Sequence, residues 1–348
     1  MIQVKGFAAY DATSPLKKYN FERREPGPHD VLVDILFCGV CHSDIHQARD
    51  EWGGSIYPMV PGHEIVGKVI RTGDQARKFK TGDTAGVGVM IDSCRQCGPC
   101  NNYMEQYCTE GMTGTYNGYE RDKITIAQGG YSTQIVCDER YVYHISDKLD
   151  PAGAAPLLCA GITTYSPLKF AMIKPGDKVA VAGLGGLGHM GVKFSVAMGA
   201  EVTLLSTSPS KEKDAKRLGA HNFVLSTDEA AMKKCESHFD VVLNTVSANH
   251  HFEKYLQLLN LNGKMLVVGL PKEHPDVNPM ALIYNRRSII GSMIGGTVET
   301  QEMLDFCAEN NIVSDVEVIP IQKINEAYER ILKNDVKYRF VIDMSTLG

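Results

Sequence analysis

The run Gly183-Leu184-Gly185-Gly186-Leu187-Gly188 follows the apolar stretch KVAVA and opens a stretch with helical patterning. No other feature narrows the fold of these 348 residues as much. A G-x-G-x-x-G pattern alone is weak evidence, but between a strand and a helix it marks a dinucleotide-binding turn. Gly183 permits the tight turn, Gly185 lets a pyrophosphate approach the backbone, and Gly188 lets the helix pack on the strand. The helix N-terminus offers unpaired N–H groups and a positive dipole end to phosphates. The competing reading is a glycine-rich structural turn. Around this run, apolar strands recur at strand-plus-helix spacing: Val179–Ala182, Val202–Leu205, Phe223–Leu225, Val241–Leu243, Met265–Val268 and Ile289–Ile294. Gly199 and Gly219 fall just past the intervening helical stretches, where a left-handed cap is needed. Alternating strand and helix means an α/β doubly wound parallel sheet, and six strands match two mononucleotide-binding halves.

The chain before about residue 153 has a different texture. Val31, Val33 and Ile35 alternate with other positions, a period-two signal, and Ile65 to Ile70 is a second strand candidate. Glycines and prolines punctuate this stretch, which reads as a β-rich domain with long loops. The segment 297–348 carries strands at Val316–Ile319 and Phe340–Ile342 and is expected to return to that first domain. The expected division is therefore 1–153 with 297–348 as one domain, and 154–296 as the cofactor domain.

Cys94, Cys97, Cys100 and Cys108 follow the pattern C-x2-C-x2-C-x7-C. Four thiolates on short tethers make a tetrahedral cage, most often for Zn²⁺. A disulfide pair would suit a secreted chain. An iron–sulfur run of the bacterial ferredoxin type has a shorter last gap and a proline after the fourth cysteine, where this chain has Thr109. Three further ligand candidates stand apart: Cys41 in CGVCHSDIH, His63 in PGHE, and Cys159 in LLCAG. A Cys2His set with one open position is a catalytic zinc arrangement. The spacing is too wide to prove it, and a buried structural cysteine is the ordinary reading of Cys159 taken singly.

The second strand of the doubly wound half bears on the cofactor. An acidic residue at its end accepts hydrogen bonds from the adenine ribose of NAD. Here it runs into Ser206-Thr207-Ser208-Pro209-Ser210-Lys211, with no carboxylate. Hydroxyl donors at Ser206, Thr207 and Ser208 with the Lys211 cation suit a 2′-phosphate, so NADP is favoured over NAD.

Together and in order, the CHSDIH run, the GHE motif, the four-cysteine loop, CAGITTYSPL and GLGGLGH resemble the zinc-dependent medium-chain alcohol dehydrogenases, and among them the cinnamyl alcohol dehydrogenases. The resemblance covers essentially the whole chain. It implies a GroES-like catalytic domain with two zinc sites beside a Rossmann NADP-binding domain. It implies a structural zinc on the four cysteines and a catalytic zinc on Cys41, His63 and Cys159, with Glu64 able to enter the coordination sphere. Zinc stabilises an alkoxide or polarises an aldehyde, and hydride moves to or from the nicotinamide. Ser43 is expected to hand on the alcohol proton and His46 to receive it. Asp44 is expected to hydrogen-bond the second nitrogen of His63. Thr245, Gly269, Ser292, Met293 and Ile294 carry over as cofactor contacts, the last three placed in the sixth strand.

The substrate wall is less legible. Trp52, the only tryptophan, Met90 and Leu282 are candidates for an apolar pocket that takes aromatic or medium-chain aldehydes. The stretch after Cys108 has no aromatic residue before Tyr116, a departure from the cinnamyl-type pattern. A formal net charge of −5 leaves no electrostatic footprint for nucleic acid, and no apolar run approaches the ~18 residues of a membrane span. With no apolar signal core before Glu25, a cytoplasmic location is expected, where thiols stay reduced. The apolar sixth strand would leave an open sheet edge in a monomer, so a homodimer is expected. Two rival readings are an NAD-dependent alcohol or polyol dehydrogenase of the same fold and a non-catalytic, zinc-stabilised dinucleotide-binding protein.

Overall fold

Strand Lys178–Ala182 stands inside a parallel sheet of six. In the computed structural model, which describes residues 1–273 and 275–348, the spatial order of that sheet is Asn222–Leu225, Glu201–Ser206, Lys178–Ala182, Phe239–Asn244, Leu259–Val267, Ser288–Gly291. The order reverses between Lys178–Ala182 and Phe239–Asn244. An open α/β sheet binds ligands at such a switch point. Val179, Ala180, Val181 and Ala182 are all fully buried, as expected of a strand covered by helices on both faces. Gly199 and Gly219 have φ of +85° and +98°, the left-handed conformation that ends a helix.

The sixth strand is shorter than the apolar run suggests. It ends at Gly291, so Ser292, Met293 and Ile294 lie beyond it rather than in it. The Ser292 N–H still reaches the Val267 carbonyl at 3.3 Å, but Ile294 turns to φ +38°, which no strand accommodates.

By internal contacts the chain divides into Met1–Cys159 with Gly295–Gly348, and Ala160–Ile294. In the first unit, strand Asp30–Val40 is the centre of a seven-stranded sheet. It pairs antiparallel with Ile65–Thr72, Gln134–Asp138 and Arg339–Asp343. Its burial is not the simple alternation read from sequence. Leu32, Cys38 and Val40 are buried along with Val31, Val33 and Ile35, because a central strand is covered on both faces. The pairing of Arg339–Asp343 with Phe37–Val40 brings the C-terminal segment home. Among the described residues no helix is long and apolar enough to cross a membrane.

Candidate active site and metal centres

Strand Asp30–Val40 delivers Cys41 to the N-cap of the short helix His42–Ala48. Asp44, in the first turn of that helix, is fully buried. Its Oδ2 accepts the Cys41 N–H at 2.8 Å and the Tyr131 hydroxyl at 3.1 Å. Its Oδ1 accepts the Gly62 N–H at 3.0 Å and lies 3.1 Å from Nδ1 of His63. One carboxylate thus ties together the segments that carry Cys41 and His63. With Nδ1–H directed at Asp44, Nε2 of His63 presents its lone pair away from it. Gly62 has φ +103°, and a Cβ there would press on the Tyr131 ring at 2.7 Å. The residue before His63 therefore has to be glycine.

Cys159, which follows the short helical stretch Ala155–Leu158, brings its Sγ to 4.0 Å from that of Cys41. Ligand atoms of Cys41, His63, Glu64 and Cys159 all lie within 4.8 Å of one another, and all four residues are buried. Two thiolates on one tetrahedral zinc sit about 3.8 Å apart, given a Zn–S bond of about 2.3 Å. Glu64 Oε1 accepts from the Arg339 guanidinium, while the buried Oε2 has no hydrogen-bond partner among the described residues. The electrostatics suit a cation. A hydrogen bond from Cys159, with Arg339 and His63 nearby, holds the Cys41 thiol well below its usual range. The same bond, together with burial, pushes Cys159 up. Burial opposes protonation of His63, but Asp44 and Cys41 raise it well above an ordinary imidazole.

The second cluster is all thiol. Cys97 and Cys100 are 3.4 Å apart at sulfur, Cys94 and Cys100 3.8 Å, Cys97 and Cys108 4.0 Å. These are again the edges of a zinc-sized tetrahedron. The Cys94 sulfur accepts the Cys97 N–H at 3.3 Å, and the Cys108 sulfur accepts the Cys94 N–H at 3.4 Å. Ser93 Oγ lies 3.1 Å from the Cys100 sulfur and 2.7 Å from the Tyr141 hydroxyl. Four protein ligands leave no open position for a substrate.

In the second unit the glycine run forms the turn between strand Lys178–Ala182 and helix Gly188–Ala197. Gly183 has φ +90°, and a Cβ on Gly188 would collide with the Gly183 carbonyl. At Gly185 the space beside the backbone is open, which is what a pyrophosphate requires. Leu184 is buried, and Gly186 and Leu187 are half-buried between them. Thr245 donates its hydroxyl to the Ala182 carbonyl at 2.7 Å, and the Gly269 N–H reaches the Asn244 carbonyl at 3.0 Å. Both therefore sit at the carboxyl ends of strands, beside the switch point. At the end of strand Glu201–Ser206, Ser206 Oγ accepts the Ser208 N–H at 3.2 Å, and the Ser208 and Ser210 hydroxyls are 2.8 Å apart. Thr207 and Lys211 complete a stretch that carries no carboxylate.

Residues 27–147 match the family described as alcohol dehydrogenase GroES-like domain, and residues 186–309 match zinc-binding dehydrogenase. The chain is 52% identical over 348 residues to the aldehyde reductase YahK of Escherichia coli, covering 99% of each chain. It is 53% identical to NADP-dependent alcohol dehydrogenase C 1 of Mycolicibacterium smegmatis, covering 100% of this chain and 99% of the other. The chain belongs to the zinc-dependent medium-chain alcohol dehydrogenases. Among solved structures it is similar to the cinnamyl alcohol dehydrogenase SbCAD4 of Sorghum bicolor, with a TM-score of 0.95 at 43% identity over 99% of this chain and 98% of that one. It is also similar to the CAD of Helicobacter pylori complexed with NADP(H), with a TM-score of 0.92 at 43% identity over 99% of each.

Other parts of this dehydrogenase are less visible in sequence. Ser43 and His46 lie on one short helix, with Ser43 Oγ 3.6 Å from the Cys41 sulfur. His46 Nδ1 meets Glu51 at 2.6 Å, and the His46 ring lies 5.0 Å from that of Trp52. Trp52 remains about half-exposed. Tyr116, the first aromatic after Cys108, faces His63 at 5.8 Å between rings. Met90 is 2% exposed and packs within the core cluster of the first unit. Leu282 packs half-buried against the core of the second unit. Sequence reasoning missed Arg339 and Glu51. The one available signal for Arg339 was a lone cation heading the apolar run Phe340-Val341-Ile342.

Proposed function

We propose that this dehydrogenase interconverts aldehydes and alcohols with NADP(H), using a catalytic zinc on Cys41, His63 and Cys159 and a structural zinc on Cys94, Cys97, Cys100 and Cys108. The observation that carries the reading is the contrast between the two clusters. One is all thiol. The other is mixed: two thiols, an imidazole and the Glu64 carboxylate, all buried. When bound, the zinc polarises the substrate oxygen as a Lewis acid and the nicotinamide carries the hydride.

The protein's own groups do the rest. Asp44 fixes the tautomer and orientation of His63. Ser43 passes the alcohol proton outward, and His46, backed by Glu51, receives it. The glycine turn takes the pyrophosphate, with Thr245, Gly269 and the segment Ser292–Ile294 along the cofactor. Ser206, Thr207, Ser208 and Lys211 favour the 2′-phosphate of NADP, as the names of the relatives suggest. The substrate class is aromatic or medium-chain aldehydes, with Trp52 and Leu282 as pocket candidates. The enzyme works as a cytoplasmic homodimer; an apolar edge at Ser288–Gly291 and exposed Met280, Ile283 and Tyr284 support pairing.

An aldehyde panel assayed with NADPH and NADH, alongside metal analysis, tests this reading. Faster turnover with NADPH and two zinc ions per chain are expected. Equal or better rates with NADH sink the cofactor assignment, and a single zinc per chain sinks the division of roles.

A further inference from the structure

Between Cys100 and Cys108 the chain makes a short helical turn, Glu105–Tyr107. Glu105 is buried, and its carboxylate points out of the four-cysteine segment to the start of helix Thr297–Asn310. Oε2 accepts the Thr297 N–H at 3.0 Å and Oε1 accepts the Thr297 hydroxyl at 2.8 Å. The N-cap of that helix is Gly296, which has no side chain to cap it. A buried carboxylate is costly unless donors meet its charge. Here they are an otherwise orphaned N–H of the first turn, a hydroxyl and the positive end of a helix. Gly296 itself passes so near the Tyr103 carbonyl that no Cβ would fit. The four-cysteine segment therefore grips the returning chain at two adjacent residues.

These grips come directly after the exit from the sixth parallel strand. Two residues before Gly296, Ile294 holds φ +38° and is buried. A β-branched residue keeps a left-handed backbone only where its surroundings enforce it, and such strain collects at functional segments.

We infer that Glu105 is a positioning residue for the cofactor segment Ser292–Ile294. By pinning Gly296 and Thr297 it holds the strained backbone in the form that meets the dinucleotide. The inference rests on the reading of Ser292–Ile294 as a cofactor contact. It also ties the four-cysteine segment to the cofactor segment, because the loop between Cys100 and Cys108 carries Glu105.

The test uses full-length, zinc-loaded wild type, Glu105→Ala, Glu105→Gln and Thr297→Val. Zinc per chain, NADPH affinity by fluorescence titration without aldehyde, and KM values for NADPH and aldehyde are measured. In Glu105→Ala both zincs stay, and NADPH affinity falls about tenfold, the scale of one charge-assisted hydrogen bond. KM for NADPH rises with it while KM for aldehyde holds. Glu105→Gln, which keeps an acceptor, recovers most of the loss. Thr297→Val removes the hydroxyl donor and keeps the N–H bond to Glu105, so it weakens NADPH by a smaller factor, about threefold; it decides the matter if Glu105→Ala does not fold. Unchanged NADPH affinity in the zinc-replete variants overturns the inference. So does a loss of affinity that tracks loss of zinc, since Glu105 would then serve only the metal. A wild type that turns over aldehyde with NADPH while its variants behave alike removes this inference alone; a wild type that does neither removes the underlying reading with it.

Discussion

Glu64 and Arg339 stand 275 residues apart in the chain and form an ion pair whose side chains are 0% and 5% exposed. The pair uses one carboxylate oxygen, Oε1, and the Glu64 carboxylate lies within 4.8 Å of the ligand atoms of Cys41, His63 and Cys159. Arg339 also holds the Cys41 thiol down, after the larger effect of the Cys159 hydrogen bond. One guanidinium therefore serves both the carboxylate and the thiolate of the metal site.

Removing one partner of a buried pair strands a charge. Arg339→Met should cost about 3–5 kcal/mol of stability. Adding Glu64→Gln to it should recover a substantial part, because the stranded charge is then gone. Urea unfolding of zinc-loaded protein checks both; a double variant no more stable than Arg339→Met would show that packing, not charge, governs the site.

The zinc-free protein should have a pH-dependent stability traceable to Glu64. Burial pushes its carboxyl up to about 7, with Arg339 opposing and Cys41 adding. A carboxyl held more tightly by its proton in the folded state contributes stability that is full below its unfolded value of 4.5 and is lost as pH rises through about 7. Chelator-stripped wild type should thus lose thermal stability between about pH 5 and about pH 8 more steeply than stripped Glu64→Gln, which cannot titrate there. Parallel melting curves across that range would contradict the assignment.

Asp44 accepts from Cys41, Gly62 and Tyr131 and faces His63 Nδ1, so an amide in its place puts N–H groups against donors. Asp44→Asn should speed zinc loss from the Cys41 cluster by roughly 10–100-fold while the four-cysteine zinc stays. A chromogenic chelator that resolves the two release phases measures this. Equal acceleration of both phases would point to general destabilisation instead.

Cofactor choice should turn on the end of strand Glu201–Ser206. Ser206→Asp places a carboxylate where a ribose hydroxyl can donate to it and a 2′-phosphate is repelled. The ratio of kcat/KM for NADPH over NADH should fall by roughly a hundredfold, about 2.7 kcal/mol at 1.36 kcal/mol per decade. An unchanged ratio would move the discrimination to Thr207, Ser208 or Lys211.

Much of this protein was legible before any folding was considered. The glycine turn, the strand-helix rhythm and the four-cysteine spacing are local patterns, because a tight turn, a helix N-terminus and a short chelate loop each need particular residues close together in sequence. Cys41, His63 and Cys159 were nameable only because each sits in a distinctive run. Tertiary structure alone decided what surrounds them. It brought Arg339 to Glu64 through the pairing of Arg339–Asp343 with Asp30–Val40, and Glu105 to Thr297 across 192 residues. It also ended the sixth strand before Ser292. Burial of a charge has no sequence period: its cost and its partner depend on which distant segments share a low-dielectric interior, and packing decides that.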